Sequence, residues 1–383
     1  MSQTETVMAG APAVRGAEFL DVLAEHGVRF LSGVPCSYFS APLRLLEDHP
    51  TLRYVPAVNE GSALAMAAGA RLAGVPGAVI AQNSGFGNLV NPLTSLVLPY
   101  RIPQLVIMSM RGWPAPEPGE QQHELMGKVV PSWLDSLAVP HWTLQRGGRP
   151  FAELVAEAAA VLEDRRTAFI LVGKGAIEPA PARSAAPAGG RVLREDVVSV
   201  LVAELRDEFV LSTTGYLSRA MLAAGDRPGN FYMQGSMGHV AGLGLGAALQ
   251  APAQRIVVLD GDGSLLMHLG AMASVAACAP PNLVHIVFDN GAYESTGAQP
   301  AAARPDFAAV ATALGYRSTA TVSARAELRS AVRAALDATG PSLLVVAGAV
   351  GGSTGKRASE SLGISEIAAR FEQHLGGHAG PRR

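Results

Sequence analysis

Charged side chains are scarce in this chain. Asp, Glu, Lys and Arg make up 16% of its 383 residues and hydrophobic residues 49%. An average soluble domain carries ~25% charge, and this balance excludes disorder for most of the length. Net charge is nearly absent too, at −2 with both signs interspersed. No electrostatic case therefore exists for a nucleic-acid surface or an anionic membrane. Cysteine is limited to Cys36 and Cys278, too few for a disulfide framework or a zinc ligand set. Gly, Pro, Arg or Asn interrupts every Ala-rich stretch, so no run of ~18 apolar residues predicts a membrane span. The opening MSQTETVMAGAPAVRGAEF lacks the basic and apolar regions of a signal peptide. These absences predict a reduced, cytoplasmic globular protein.

What is present alternates. Ala17–His26 carries apolar residues at helical spacing, and Val28–Leu31 reads as a short strand before the turn Ser32-Gly33-Val34-Pro35. The pattern continues with a helix at Tyr38–Glu47, a strand at Arg53–Val58 and an Ala-rich helix at Ser62–Ala73. Ala78–Ala81 and Gln104–Met110 are apolar runs of the kind buried on both faces. Helix Phe151–Leu162 and strand Ala168–Val172 close the first half. The segment EPAPARSAAPAGG, Glu178–Gly190, has no hydrophobic periodicity and predicts a linker. After it come helix Glu195–Arg206, strand Phe209–Ser212, a glycine-rich helix at Gly238–Gln250 and strand Arg255–Leu259. Helix Leu265–Ala277, strand Leu283–Phe288, helix Ala324–Leu336 and strand Ser342–Ala347 complete it. The expected fold is α/β: two doubly wound parallel-sheet domains, 1–177 and 191–383, joined by the linker 178–190, with no central third domain. The two halves show no repeat in sequence.

One segment carries the chemistry. A buried strand runs into Asp260-Gly261-Asp262-Gly263-Ser264, a helix follows, and the next strand ends in Asp289-Asn290-Gly291-Ala292-Tyr293. Parallel strands release their carboxyl ends on one edge, so Asp262 and Asn290 can converge on a single ion. Carboxylate, amide oxygen and backbone carbonyl are hard ligands suited to magnesium that is also held by phosphates. Glycines beside Asp262 let the backbone approach such a phosphate. A GDG turn is also common in α/β proteins that bind nothing there. In the other half, Glu60 stands where a strand meets a small-residue helix. Acids at helix starts are frequent for their ~0.3–1 kcal/mol of dipole stabilisation, but this one lies among Ala and Gly. Gly242, Gly244 and Gly246 are spaced G-x-G-x-G and do not directly follow a strand, so they are not a dinucleotide loop. Nor is Gly351–Arg357 a Walker loop, since Val350 and Arg357 occupy positions that need Gly and Ser or Thr.

The GDG start, the intervening helix and strand, and the closing Asn resemble the thiamine-diphosphate-binding motif. The resemblance implies that Asp262, Asn290 and the carbonyl of Ala292 hold Mg2+, and that Gly263 and Ser264, with Thr214 and Gly215, contact the diphosphate. It makes Glu60 the acid that protonates the cofactor's pyrimidine ring. In Gly235-Ser236-Met237-Gly238, Met237 matches the apolar wedge beneath the cofactor and Gly235 a carbonyl for its amino group; otherwise Met237 is core filler. Such enzymes build their sites from two domains, normally of two subunits, which implies a homo-oligomer. Gly33-Val34-Pro35-Cys36-Ser37, Gln82–Asn88 with Asn91–Thr94, and Arg111-Gly112-Trp113-Pro114 leading to Gln122-His123 look like the small decarboxylases of 3-phosphonopyruvate and their sulfopyruvate relatives. The implied substrate is a small anionic 2-oxoacid, touched by Ser37, Ser84, Asn88 and Lys356. His123, after a mobile Pro-rich loop at Pro114–Gly119, is the candidate proton donor. Phosphonopyruvate decarboxylation in phosphonate antibiotic biosynthesis leads. A fused chain counts against sulfopyruvate, because those enzymes often split the domains between chains. The loop at 351–357 departs from the Arg-Pro-Thr composition of the phosphonopyruvate enzymes. A non-catalytic thiamine-binding subunit is the alternative of another class, and Glu60, Asp262 and Asn290 argue against it.

Overall fold

The computed structural model describes residues 11–46, 49–181 and 190–378. Most of the expected linker, 182–189, lies outside the described residues. The chain forms two compact units. One holds the residues up to Pro116 and from His123 to the linker; the other holds Glu117–Gln122 and everything after the linker.

The first unit is a six-stranded parallel sheet: β1 Phe30–Gly33, β2 Arg53–Pro56, β3 Gly77–Gln82, β4 Leu105–Ser109, β5 His141–Leu144 and β6 Ala168–Val172. Their order is β2-β1-β3-β4-β6-β5. Ala78 and Ile80 of β3 face one apolar cluster, Val79 and Ala81 the other. Both faces are therefore covered, which is why these strands read as unbroken apolar runs.

The second unit contains β7 Phe209–Ser212, β8 Asn230–Tyr232, β9 Ile256–Gly261 and β10 Leu283–Asp289. A two-stranded ribbon of β11 Ala292–Tyr293 and β12 Gln299–Pro300 follows, then β13 Ser318–Val322 and β14 Ser342–Ala347. Read from its other edge, the six-stranded sheet runs β8-β7-β9-β10-β14-β13. Setting the ribbon aside, this is the strand order of the first unit. The two halves share a topology without a visible sequence repeat, because an interior strand needs only apolar bulk, whatever the particular residues.

Several elements depart from expectation. The helix expected at Leu265–Ala277 is two, Asp262–Met267 and Ala271–Cys278, broken at His268 to Gly270. Helices Phe86–Pro92, Glu124–Ser136, Tyr216–Ala224, Phe307–Leu314 and Ile364–His378 were not anticipated, nor were β5, β8 and β13. Of the three helical glycines 242, 244 and 246, only Gly244 meets a close neighbour: a Cβ there would strike Val258 of β9. No helix among the described residues is long and apolar enough to cross a membrane. Ile107, in β4 between two neighbouring strands, has no exposed surface. Ile107→Ala should therefore destabilise the protein by about 2–5 kcal/mol, read as a lower urea midpoint.

Candidate active site

In each unit the predicted residues gather where the strands end. The chain leaves β1 in one direction and β3 in the other, and doubly wound folds bind ligands at such a switch.

In the first unit, β2 leads into helix Glu60–Leu72, whose first turn is capped by Asn59 accepting from the Ser62 N–H at 2.9 Å. Glu60 is buried, 4% exposed. Its Oε2 accepts from Asn88 Nδ2 at 2.7 Å. Burial raises its pKa, and the Asn88 hydrogen bond only partly opposes this. The carboxyl group itself fits only because residue 85 is glycine; a Cβ there would fall on it. Asn88, expected at the substrate, thus has its amide nitrogen directed to Glu60.

A polar chain crosses the same edge. Arg111 follows β4 and donates from Nη2 to Ser37 Oγ at 2.5 Å and from Nε to Gln82 Oε1 at 3.0 Å. Gln82 Nε2 donates to Ser84 Oγ at 2.8 Å, and that hydroxyl lies 3.0 Å from His123 Nδ1. Tyr38 lies beneath the guanidinium, 4.9 Å from ring centroid to Cζ. The side chain of the fully buried Asn83 holds both the N–H and the carbonyl of Arg111, at 3.0 and 2.7 Å. Ser37, Ser84 and His123 are therefore brought together through Arg111 and Gln82, which sequence reasoning did not single out. Both lie in segments it had quoted.

In the second unit the switch falls between β7 and β9. Thr213 Oγ1 and Ser264 Oγ, one after each strand, are 2.8 Å apart, and Ser264 Oγ accepts from the Gly238 N–H at 3.2 Å. Thr214 and Gly215 follow directly at the start of helix Tyr216–Ala224. Met237 is half-buried in the turn after β8 and belongs to no core cluster. Gly235, two residues earlier, has Gln122 beside it. Asp262 is buried and opens helix Asp262–Met267. Its Oδ2 accepts from the Gly291 N–H at 2.7 Å, which joins the ends of β9 and β10. Asn290 Oδ1 accepts from the Ala292 N–H at 3.0 Å. Burial, with Asp289 alongside, pushes the Asp262 carboxyl up to about 7. Asp289 in turn meets Arg304 at 3.2 Å. Gly263 packs under the Tyr293 ring. Asp262 just after β9, and Asp289 with Asn290 at the end of β10, thus stand at the ends of adjacent strands, oxygen donors of the kind a divalent cation takes.

Lys356 is exposed in the loop after β14. The Pro-rich segment expected to be mobile is anchored in part: Ser359 Oγ donates to the Gly119 carbonyl at 2.7 Å, and Arg357 pairs with Glu120 at 2.7 Å.

Comparison with known proteins fixes the class. Residues 15–125 match the thiamine pyrophosphate enzyme N-terminal TPP binding domain, and residues 214–346 the thiamine pyrophosphate enzyme C-terminal TPP binding domain. The chain belongs to the thiamine pyrophosphate enzymes. Within them it is 40% identical to a phosphonopyruvate decarboxylase of Streptomyces viridochromogenes, over 87% of this chain and 88% of that one. It is also 40% identical to that of Streptomyces hygroscopicus, over 86% of each. A sulfopyruvate decarboxylase of Methanosarcina acetivorans is 30% identical over 82% of this chain and 86% of its own. That relative spans both halves in one chain, so a fused arrangement does not count against sulfopyruvate. The chain is a thiamine-pyrophosphate-dependent decarboxylase.

Glu60 faces no cation among the described residues, and its raised pKa makes the folded protein bind a proton that the unfolded chain gives up. Stability then falls as pH climbs from the unfolded value near 4.5 towards the folded one. Glu60→Gln removes that loss. Without cofactor, the variant's Tm should exceed the parent's by a margin that grows from pH 5 to pH 8, as read by calorimetry.

Proposed function

We propose that this enzyme decarboxylates 3-phosphonopyruvate to phosphonoacetaldehyde and carbon dioxide with thiamine diphosphate and Mg2+. The observation that carries the reading is the polar chain from Ser37 through Arg111, Gln82 and Ser84 to His123. It places a guanidinium, two hydroxyls and an imidazole at one sheet edge, the donor set a dianionic phosphonate requires. The two phosphonopyruvate relatives support it. Product chemistry suits a step in making phosphonate natural products, since loss of carbon dioxide commits the phosphonate downstream.

The residues present fit the cofactor. Glu60 is a buried acid whose pKa is raised by burial, and the second unit offers hydroxyls and backbone N–H groups at its strand ends. Asp262, Asn290 and the Ala292 carbonyl would hold the metal. Thr214, Gly215, Gly263 and Ser264 would contact the diphosphate, Gly235 would offer its carbonyl to the amino group, and Met237 would pack against the cofactor. Bound thiamine diphosphate supplies the electron sink for the departing carboxylate.

The chain does the rest. Glu60 Oε2 accepts from Asn88 and the carboxyl group lies against Gly85, an arrangement that would present its proton to the pyrimidine nitrogen of the bound cofactor. Arg111 and Ser37 hold the phosphonate, while Ser84 orients His123 to deliver a proton to the carbon that has lost carbon dioxide. The enzyme works as a homo-oligomer, as thiamine pyrophosphate enzymes generally do.

Sulfopyruvate is the second reading, favoured by the Methanosarcina relative. A sulfonate carries one negative charge where a phosphonate approaches two, so Arg111 separates them. Carbon dioxide release should show the highest kcat/KM for phosphonopyruvate, and Arg111→Gln should lower it by about 10²-fold, mainly through KM, on the 2–5 kcal/mol scale of truncating a buried charge pair. Higher kcat/KM for sulfopyruvate would reassign the substrate.

A further inference from the structure

One of the most deeply buried charges in the second unit lies outside the predicted site. Arg194, at the start of helix Arg194–Glu204, is 1% exposed. A guanidinium taken out of water costs several kcal/mol unless its partners are well placed. Its Nη1 lies 2.5 Å from Glu294 Oε2, and its Nη2 donates to the Ser353 carbonyl at 2.5 Å and meets Glu195 Oε1 at 3.1 Å. The ring of Tyr216 lies 4.9 Å from its Cζ.

Glu294 is where these contacts meet the site. Its Oε1 accepts from the Gly351 N–H at 2.7 Å. Its Oε2, besides pairing with Arg194, accepts from Asn290 Nδ2 at 3.1 Å. An amide whose NH2 is held by a carboxylate has its oxygen fixed on the opposite side. Glu195 adds a second tie, accepting from the Ser353 N–H at 2.8 Å. The same ion pair thus holds the metal-ligand candidate and the glycine-rich loop after β14.

We propose that Arg194 and Glu294 are a positioning pair that orients the Asn290 amide oxygen and couples that orientation to the seated conformation of the loop Gly351–Gly355. Neither residue touches the reacting atoms. The proposal rests on reading Asp262 and Asn290 as metal holders. It gives the departing 351–357 composition a role: the loop is read through its backbone, by Glu294, Glu195 and Arg194, so its side chains are free to differ from those of its relatives.

Mn2+ bound in the presence of thiamine diphosphate and counted by electron paramagnetic resonance reports metal affinity, and deuterium exchange of the 351–355 amides reports the loop. Partners behind metal ligands are worth 10–100-fold in affinity. Glu294→Gln should weaken Mn2+ binding by about 10-fold or more and speed exchange in the loop. Arg194→Lys keeps the charge but loses the fork, and should do both to a smaller degree. Arg329→Gln, which removes an exposed pair with Glu204, should do neither. Faster loop exchange with unchanged Mn2+ affinity in Glu294→Gln would overturn the coupling, and so would unchanged values of both. If Glu294→Gln does not fold, unchanged Mn2+ affinity in Arg194→Lys overturns it alone. Asp262→Asn binding Mn2+ as tightly as the parent would instead remove the metal reading on which the pair depends.

Discussion

A carboxyl group held out of water without a countercharge is the constraint on which the first unit depends. Glu60 lies buried, with an amide as its partner and a glycine opposite. In a low dielectric the neutral form wins. Asn88 supplies one hydrogen bond without charge, which only partly offsets burial, and Gly85 leaves room for the carboxyl group itself. A surface glutamate could not hold a proton at neutral pH. The fold accepts a loss of stability at this position, as functional sites often do.

The second unit meets a related problem with opposite chemistry. Asp262 and Asp289 stand together at the ends of adjacent strands, so their mutual repulsion adds to burial. There the natural relief is a cation. The common strand order places both arrangements at carboxyl edges, beside a reversal of chain direction, where backbone N–H groups and short side chains converge. One topology, used twice, thus places a buried carboxyl at one edge and paired carboxylates at the other.

Legibility in the sequence followed the range of the interactions. Asp262, Asn290 and Glu60 stood out because motif and strand end are local, and the structure does place each where a strand gives way to a helix or turn. Interior strands such as Leu283–Asp289 were visible as apolar runs because both faces are covered. Edge strands β5 and β13 were not, although edge strand β2 was: β5 and β13 are largely half-buried or exposed and carry no such run. Helix Glu124–Ser136 was hidden by Gly127 and Pro131, which read as breakers although the structure accommodates both. Arg194 and Glu294 are a hundred residues apart, and no spacing announces that they meet. The same holds for Arg111 and Ser37, which come together only through the parallel pairing of β1, β3 and β4.

Protonation of Glu60 is the central claim, and infrared difference spectroscopy tests it directly. The parent spectrum at pH 7, minus that of Glu60→Gln, should contain the carbonyl stretch of a protonated carboxylic acid, and that stretch should persist well above the pH at which exposed glutamates ionise. A difference spectrum at pH 7 showing only the antisymmetric stretch of an ionised carboxylate would contradict the account.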